Sequence, residues 1–201
     1  MTPRPRSFDE AVALGRAKDL FWALGYEATS MQNLVDHMGI GRQSLYNTYG
    51  DKHHLYLRAL ELYQSENHEG AMQELATPTA GFDQVRSFLL GIAERLGRQE
   101  DRRACFLMNA LMELSPRDEA VVAIGRRHRE LLLGYLERAC ERSAERLRPG
   151  IPPRAAALAL AHTAMGLSLT WKSGAAPEEL VEVVETAVES LSACRDTALA
   201  G

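Results

Sequence analysis

Residues 38–52 read MGIGRQSLYNTYGDK. Two glycines, one arginine and two tyrosines are set close together, and a Gly-Asp-Lys closes the run. Gly39 lets the chain turn with positive φ, which a residue lacking Cβ adopts without steric cost. After Ile40-Gly41 the spacing predicts a short helix over 42–48. A helix of that size is about 10 Å long and cannot build a core alone. Leu45 is expected to point inward as its anchor, leaving Arg42, Gln43, Ser44, Tyr46 and Asn47 with donors for base edges and phosphates. Such a face fits a major groove about 12 Å wide, where a bidentate arginine–guanine pair discriminates by about 1–3 kcal/mol. Asp51 is expected to cap the following helix. Lys52, at that helix's start, combines a point charge with free backbone amides, a favourable setting for a phosphate.

Upstream, Phe8–Leu24 carries apolar residues at three- and four-residue spacing and stops at Gly25. Thr29 or Ser30 is expected to cap a second helix, with Gln32 three residues after Thr29 in a capping-box arrangement. Three short helices with a glycine turn before the third form a helix-turn-helix pattern. At this point two readings stand, a DNA-reading element and a helical hairpin whose polar face is merely solvated. A dinucleotide fingerprint is excluded, because Ser44 occupies the third glycine position of Gly39-x-Gly41 and the segment follows a helix.

Downstream the signals remain helical. A fourth helix is predicted from Lys52 to about Leu75, then a break over TPTAGFD, 77–83. Further helices are predicted over Gln84–Leu96 and Arg102–Leu114. Ser115-Pro116 is expected to open a long helix to about Leu147. After Pro149-Gly150-Ile151-Pro152-Pro153, helices are expected over Ala155–Trp171 and from Pro177 onward. No alternating strand stands out, so the fold class is all-α with about nine helices. The Ala155–Ala161 cluster and the stripe Leu180, Val183, Val184, Ala187, Val188 and Leu191 serve either a four-helix dimer seam or the monomer's own core.

Composition narrows the function classes. Hydrophobic residues make up 46% and charged residues 25% of 201, ordinary for a globular chain. Cys105, Cys140 and Cys194 are far apart and form no CxxC pair, so no disulfide framework, metal site or cofactor is expected. His53-His54 flanks the expected phosphate contact without metal-ligand spacing. No nucleophile elbow, HExxH or Ser/His/Asp signature marks a catalytic centre, so an enzyme is not expected. MTPRPRSFDE lacks the apolar core of a signal peptide, and Ala155–Trp171 is too polar for a membrane span. A cytoplasmic protein is expected. Net charge is −4, with six basic and six acidic residues before Leu57. DNA contact must therefore come from local placement of charge.

The run Gly25-Tyr26-Glu27-Ala28-Thr29-Ser30, then Leu34, Gly39-Ile40, Ser44-Leu45-Tyr46, Tyr49-Gly50-Asp51-Lys52 and Leu55, closely resembles the TetR-family DNA-binding domain over roughly residues 8–60. Tyr49 departs from the family's usual phenylalanine. The resemblance implies a helix-turn-helix domain over 1–51 and a helical ligand-binding and dimerisation domain over 52–201. It implies a homodimer through the last two helices, bound to a palindromic double-stranded operator and released by a small-molecule effector. By position, DNA contacts fall to Arg42, Gln43, Ser44, Tyr46, Asn47 and Lys52, with Gln32 a further candidate.

An apolar ligand cavity would draw on Phe88, Ile92, Phe106, Met112, Leu132, Tyr135, Met165 and Trp171. Asn109, Glu113, His128 and His162 would supply its polar points. Cys105, Asn109 and Glu113 also resemble a Cys-x-x-x-Asn-x-x-x-Glu subgroup, some of whose members sense electrophiles or oxidants through a cysteine. Arg102, Arg103 and a helix N-terminus would favour a Cys105 thiolate. A buried, inert thiol is the alternative.

Overall fold

The computed structural model describes residues 8–70 and 72–193. Ten α-helices run through them, and the only strand-like feature among the described residues is an isolated bridge between Leu147 and Ser192. Two compact units form, one from 8–67 with 105–126, the other from 68–104 with 127–193.

The first unit holds α1 (Glu10–Leu24), α2 (Met31–Met38), α3 (Arg42–Tyr49), most of α4 (Lys52–Glu69), α7 (Phe106–Leu114) and the first two turns of α8 (Glu119–Arg142). Asp9 starts α1 by accepting the amides of Ala11 and Val12. Gly25 ends it at φ +85, a conformation that penalises a side chain. Ser30, not Thr29, caps α2, and its capping-box partner is Asn33 rather than Gln32. The reason is local. The Thr29 hydroxyl is buried and donates to the Gly25 carbonyl at 2.6 Å, while the Ser30 amide donates to the Asn33 side chain at 3.0 Å. Phe21, Leu34, Leu45, Leu55, Tyr56 and Phe106 fill a shared core, each essentially inaccessible to solvent.

Helix starts differ from the sequence expectation: those predicted at Gln84 and Ala155 open two residues early, at Phe82 and Pro153, and two others move further. Arg102 and Ala104 adopt positive φ, so the helix predicted from Arg102 begins only at Phe106, with Cys105 as its N-cap residue. Ser115 closes α7, donating its amide to the Leu111 carbonyl, and does not open α8. Asp118 performs that task, accepting the amides of Ala120 and Val121 at 3.1 Å each. The expected fourth helix also stops early. It ends at Glu69 before Gly70, and Leu75 lies in the single-turn α5 (Gln73–Ala76).

The second unit is built on α6 (Phe82–Gly97), the rest of α8, α9 (Pro153–Lys172) and α10 (Pro177–Leu191). Instead of continuing to Leu147, α8 ends at Arg142 and a 3-10 turn over Ala144–Arg146 follows. Phe88, Leu89, Leu132, Leu136, Leu160, Trp171, Leu180 and Val184 are among its core residues. Gly97 admits the close approach of Pro177, whose Cβ would lie 3.1 Å from any added methyl. Cys140 is buried here, and burial with Glu137 and Glu141 nearby pushes its thiol up to about 11. Cys194 lies outside the described residues.

Asp118 ties the start of α8 to α4, since its carboxylate meets His53 Nε2 at 2.6 Å. Burial pushes the Asp118 carboxyl up, but the Val121 amide, His53 and the Ala120 amide outweigh it and hold the group below its ordinary 3.8. The resulting stabilisation is present above the ordinary value and is lost as pH falls through the depressed one. Asparagine retains the cap but not the charge. Asp118→Asn is therefore expected to flatten the acid side of the stability–pH curve, read from urea midpoints taken downward from neutral pH. An unchanged acid slope would remove Asp118 from that role.

Candidate nucleic-acid interface

The exposed face of α3 is set by what lies beneath it. Leu45 and Tyr49 are buried at 0% and 4% exposure, one turn apart, and fix the rotation of the helix. Arg42, Gln43, Tyr46 and Asn47 consequently face outward, with Ser44 half-buried at the edge. Gly41 precedes the helix without any side-chain cap, leaving the first-turn amides open. The helix is eight residues long, about 12 Å. It is one residue longer than predicted because Tyr49 remains helical before Gly50.

Tyr49 also explains its own departure from phenylalanine. Its ring packs in the core, while its hydroxyl reaches the Glu10 carbonyl at 3.3 Å. The ring fills the expected apolar site and the extra oxygen is hydrogen-bonded.

The outward side chains are partly organised by bonds among themselves. Gln32 on α2 accepts from the Arg42 guanidinium at 3.2 Å and donates to Asp36 at 2.8 Å. Gln43 donates to Asn47 at 2.9 Å along one side of α3. Charge is equally selective. Lys18 pairs with Glu66 and Arg58 with Glu10, whereas among the described residues Arg42 and Lys52 are in no ion pair with a carboxylate. Lys52 lies 4.4 Å from the centroid of the Tyr26 ring and 3.5 Å from the Glu27 carbonyl. Asp51 caps α4 through the His54 amide and contacts its ring at 2.9 Å. The His54 amide and ring hold the Asp51 carboxyl below its ordinary value.

The residues expected around a ligand fall into both units. Phe88, Ile92, Leu132, Tyr135 and Trp171 belong to or pack on the core of the second. His128 and Met165 are half-buried there, and burial lowers the His128 pKa, favouring neutral imidazole. His162 lies on the exposed side of α9, bonded to the Leu158 carbonyl. In the first unit, Phe106 is core, packed edge-on against Tyr56 and Tyr63, while Asn109 is half-buried. Met112 is 79% exposed, and the Glu113 carboxylate is bound to the backbone of Tyr26 and Glu27.

The arginines beside Cys105 are engaged elsewhere. Arg102 stacks on the Trp171 ring and donates to the carbonyls of Trp171 and Ala175, and Arg103 pairs with Asp101 at 2.6 Å. Cys105 itself is half-buried and hydrogen-bonded with the Tyr63 hydroxyl. Burial and that sulfur hold the Tyr63 phenol well above its ordinary value.

The model of bacterial regulatory proteins of the tetR family matches residues 13–59. Over 194 residues the chain is 30% identical to ComR, an HTH-type transcriptional repressor of Escherichia coli K12, covering 91% of this chain and 89% of ComR. The chain belongs to the TetR family. It is a helix-turn-helix transcriptional regulator and not an enzyme. YezE of Bacillus subtilis 168, an uncharacterized HTH-type transcriptional regulator, is 37% identical over 115 residues, 57% of this chain and 59% of YezE. Among solved structures, the TetR-family regulator CifR, a cysteine mutant complexed with 26-base-pair double-strand operator DNA, superposes with a TM-score of 0.80. That match is 29% identical and covers 94% of this chain and 99% of CifR. The reduced form of Escherichia coli NemR shares the fold at a TM-score of 0.79 and 17% identity, over 91% of this chain and 96% of NemR. No described helix is long and apolar enough to cross a membrane.

Replacing Arg42 by alanine is expected to weaken binding to the specific operator by about 1–3 kcal/mol while changing nonspecific binding far less. Anisotropy titrations with operator and scrambled duplexes measure both. Equal losses on the two would make Arg42 a phosphate contact.

Proposed function

We propose that this regulator is a repressor that binds a palindromic operator as a homodimer and leaves it when a small apolar or electrophilic molecule binds. The observation that carries the reading is the outward face of α3, with Arg42 at its start in no ion pair with a described carboxylate, held over buried Leu45 and Tyr49. ComR is a repressor and the CifR structure holds operator DNA, which supports the same role here. Residues 1–51 form the DNA-binding domain and 52–201 the ligand-binding and dimerisation domain. Arg42, Gln43, Ser44, Tyr46 and Asn47 contact the major groove, with Gln32 beside Arg42. Lys52 holds a phosphate. The protein acts in the cytoplasm.

Dimerisation through α9 and α10 has independent support. Ala155, Ala159, His162, Gly166 and Leu169 lie exposed on α9 at alternating four- and three-residue spacing, and Leu169 is 70% exposed. A Cβ at Gly166 would meet no atom within 4 Å. On α10, Leu180, Val184 and Val188 are buried in the unit's core, while Val181 and Val183 remain exposed. Small residues at such a seam let a symmetry-related helix approach closely, as in a four-helix bundle.

The effector site is assigned to the second unit, around Phe88, Ile92, Leu132, Tyr135, Met165 and Trp171, with His128 as a neutral polar point. Phe106, Asn109, Met112 and Glu113 lie in the first unit and His162 on the exposed side of α9, so none of them is counted in that site. Allosteric coupling of about 1–3 kcal/mol, or 5–150-fold, would suffice for release, provided the effector binds the released state more tightly.

Selection of bound genomic fragments is expected to recover a palindromic site, and binding should weaken steeply as salt rises. No sequence preference on any fragment would overturn the reading. A second reading makes Cys105 the sensor, favoured by its partial exposure and its bond with Tyr63. In that case Cys105→Ser abolishes release by an electrophile such as N-ethylmaleimide. Undiminished release in the serine variant would return Cys105 to core packing.

A further inference from the structure

The carboxylate of Glu113, on the penultimate residue of α7, receives two backbone amides. Tyr26 donates to Oε2 at 2.9 Å and Glu27 donates to Oε1 at 2.8 Å. Both donors lie in the turn between α1 and α2, more than 80 residues away in the chain. Gly25 makes the approach achievable, since a Cβ there would fall 3.0 Å from Oε2 and 3.2 Å from Oε1. The turn has φ +85 at Gly25, so both its conformation and its open side require glycine.

The same two residues hold Lys52 from their other atoms. Its ammonium lies 4.4 Å from the centroid of the Tyr26 ring and 3.5 Å from the Glu27 carbonyl. A lysine is a point charge on a flexible four-carbon stem, so its place is decided by what surrounds the ammonium. Charge-assisted bonds to amides are roughly twice as strong as neutral ones. Two of them on consecutive amides fix the peptide planes that carry the Tyr26 ring and the Glu27 carbonyl. The turn is also tied by the Thr29 amide to the Tyr26 carbonyl, the Thr29 hydroxyl to the Gly25 carbonyl and the Gly25 amide to the Phe21 carbonyl, and the Tyr26 ring packs on Tyr56 at 4.9 Å.

We infer that Glu113 is a positioning residue for operator binding, fixing the Tyr26-Glu27 turn that aims Lys52 at a phosphate. The inference rests on the reading of Lys52 as a phosphate contact. It places a determinant of DNA affinity on α7, outside the helix-turn-helix segment.

The test compares wild type, Lys52→Met, Glu113→Gln and the double variant on one operator duplex by anisotropy across a salt series. Glutamine is nearly isosteric but offers one acceptor oxygen to the two amides. Both single variants are expected to bind up to about fivefold more weakly, with the slope of log affinity against log salt reduced by about one per lost contact. The double variant is expected to match Lys52→Met. Glu113→Asp keeps the charge but is one methylene too short to reach both amides, and should behave as Glu113→Gln does. It serves as the second variant should the glutamine form fold poorly.

A loss in the Glu113 variants without a change in salt slope would mean a general structural role and would overturn the inference. So would losses that multiply in the double variant. If Lys52→Met alone weakens binding, the phosphate contact stands and the role of Glu113 falls. If Lys52→Met leaves affinity and slope unchanged, the phosphate reading fails first and the inference falls with it.

Discussion

An eight-residue helix has no stability of its own in water, because nucleation costs more than so few backbone bonds return. The reading head of this protein exists because Leu45 and Tyr49 are locked into the core shared by α1, α2 and α4. Everything outward follows from that attachment. With those two side chains inside, the 100° step of the helix leaves Arg42, Gln43, Tyr46 and Asn47 with nowhere to face but solvent. The glycines on either side complete the constraint. Gly39 and Gly50 turn the backbone at positive φ, and Gly41 leaves the first-turn amides uncapped.

Electrostatics at this surface work by subtraction. The first 56 residues carry no net charge, so no broad positive field draws the domain to DNA. Lys18 and Arg58 are neutralised by Glu66 and Glu10, while Arg42 bonds to uncharged Gln32 and Lys52 rests on an aromatic face and a carbonyl. The two cations that remain unpaired among these are those at the starts of α3 and α4. With so few unpaired cations on one head, the proposed operator contact gains from two heads acting together, which the open, small-residue face of α9 would allow.

The helical class, the opening of a break at Thr77 and the inward turn of Leu45 were legible because they depend on periodicity and on glycine and proline, which act locally, although the break closes at Gly81 and not at Asp83. The expected outward residues of α3 and their partner Gln32 are found together for the same reason. What the sequence hid depends on distant partners. Ser115-Pro116 carries a helix-start signature, yet Asp118 takes the amides that define the start of α8. Arg102 and Arg103 look like a cationic setting for Cys105 until Trp171 and Asp101 claim them. Glu113 matched a motif spacing on one helical face, but its carboxylate is committed to backbone 86 and 87 residues upstream. No local pattern announces such a bond. Gly25 reads from spacing as a helix stop, and its second duty of leaving room for an oxygen is invisible without the fold.

That second duty bears on how such a regulator can be engineered. Replacing glycine by alanine is a standard route to higher stability, because it narrows the unfolded ensemble where the native φ allows it. At Gly25 the same substitution would meet both a left-handed backbone and a carboxylate at contact distance. A library selected for heat resistance is therefore expected to keep glycine at this position as firmly as one selected for operator affinity, and biosensor designs built on this scaffold should leave it fixed.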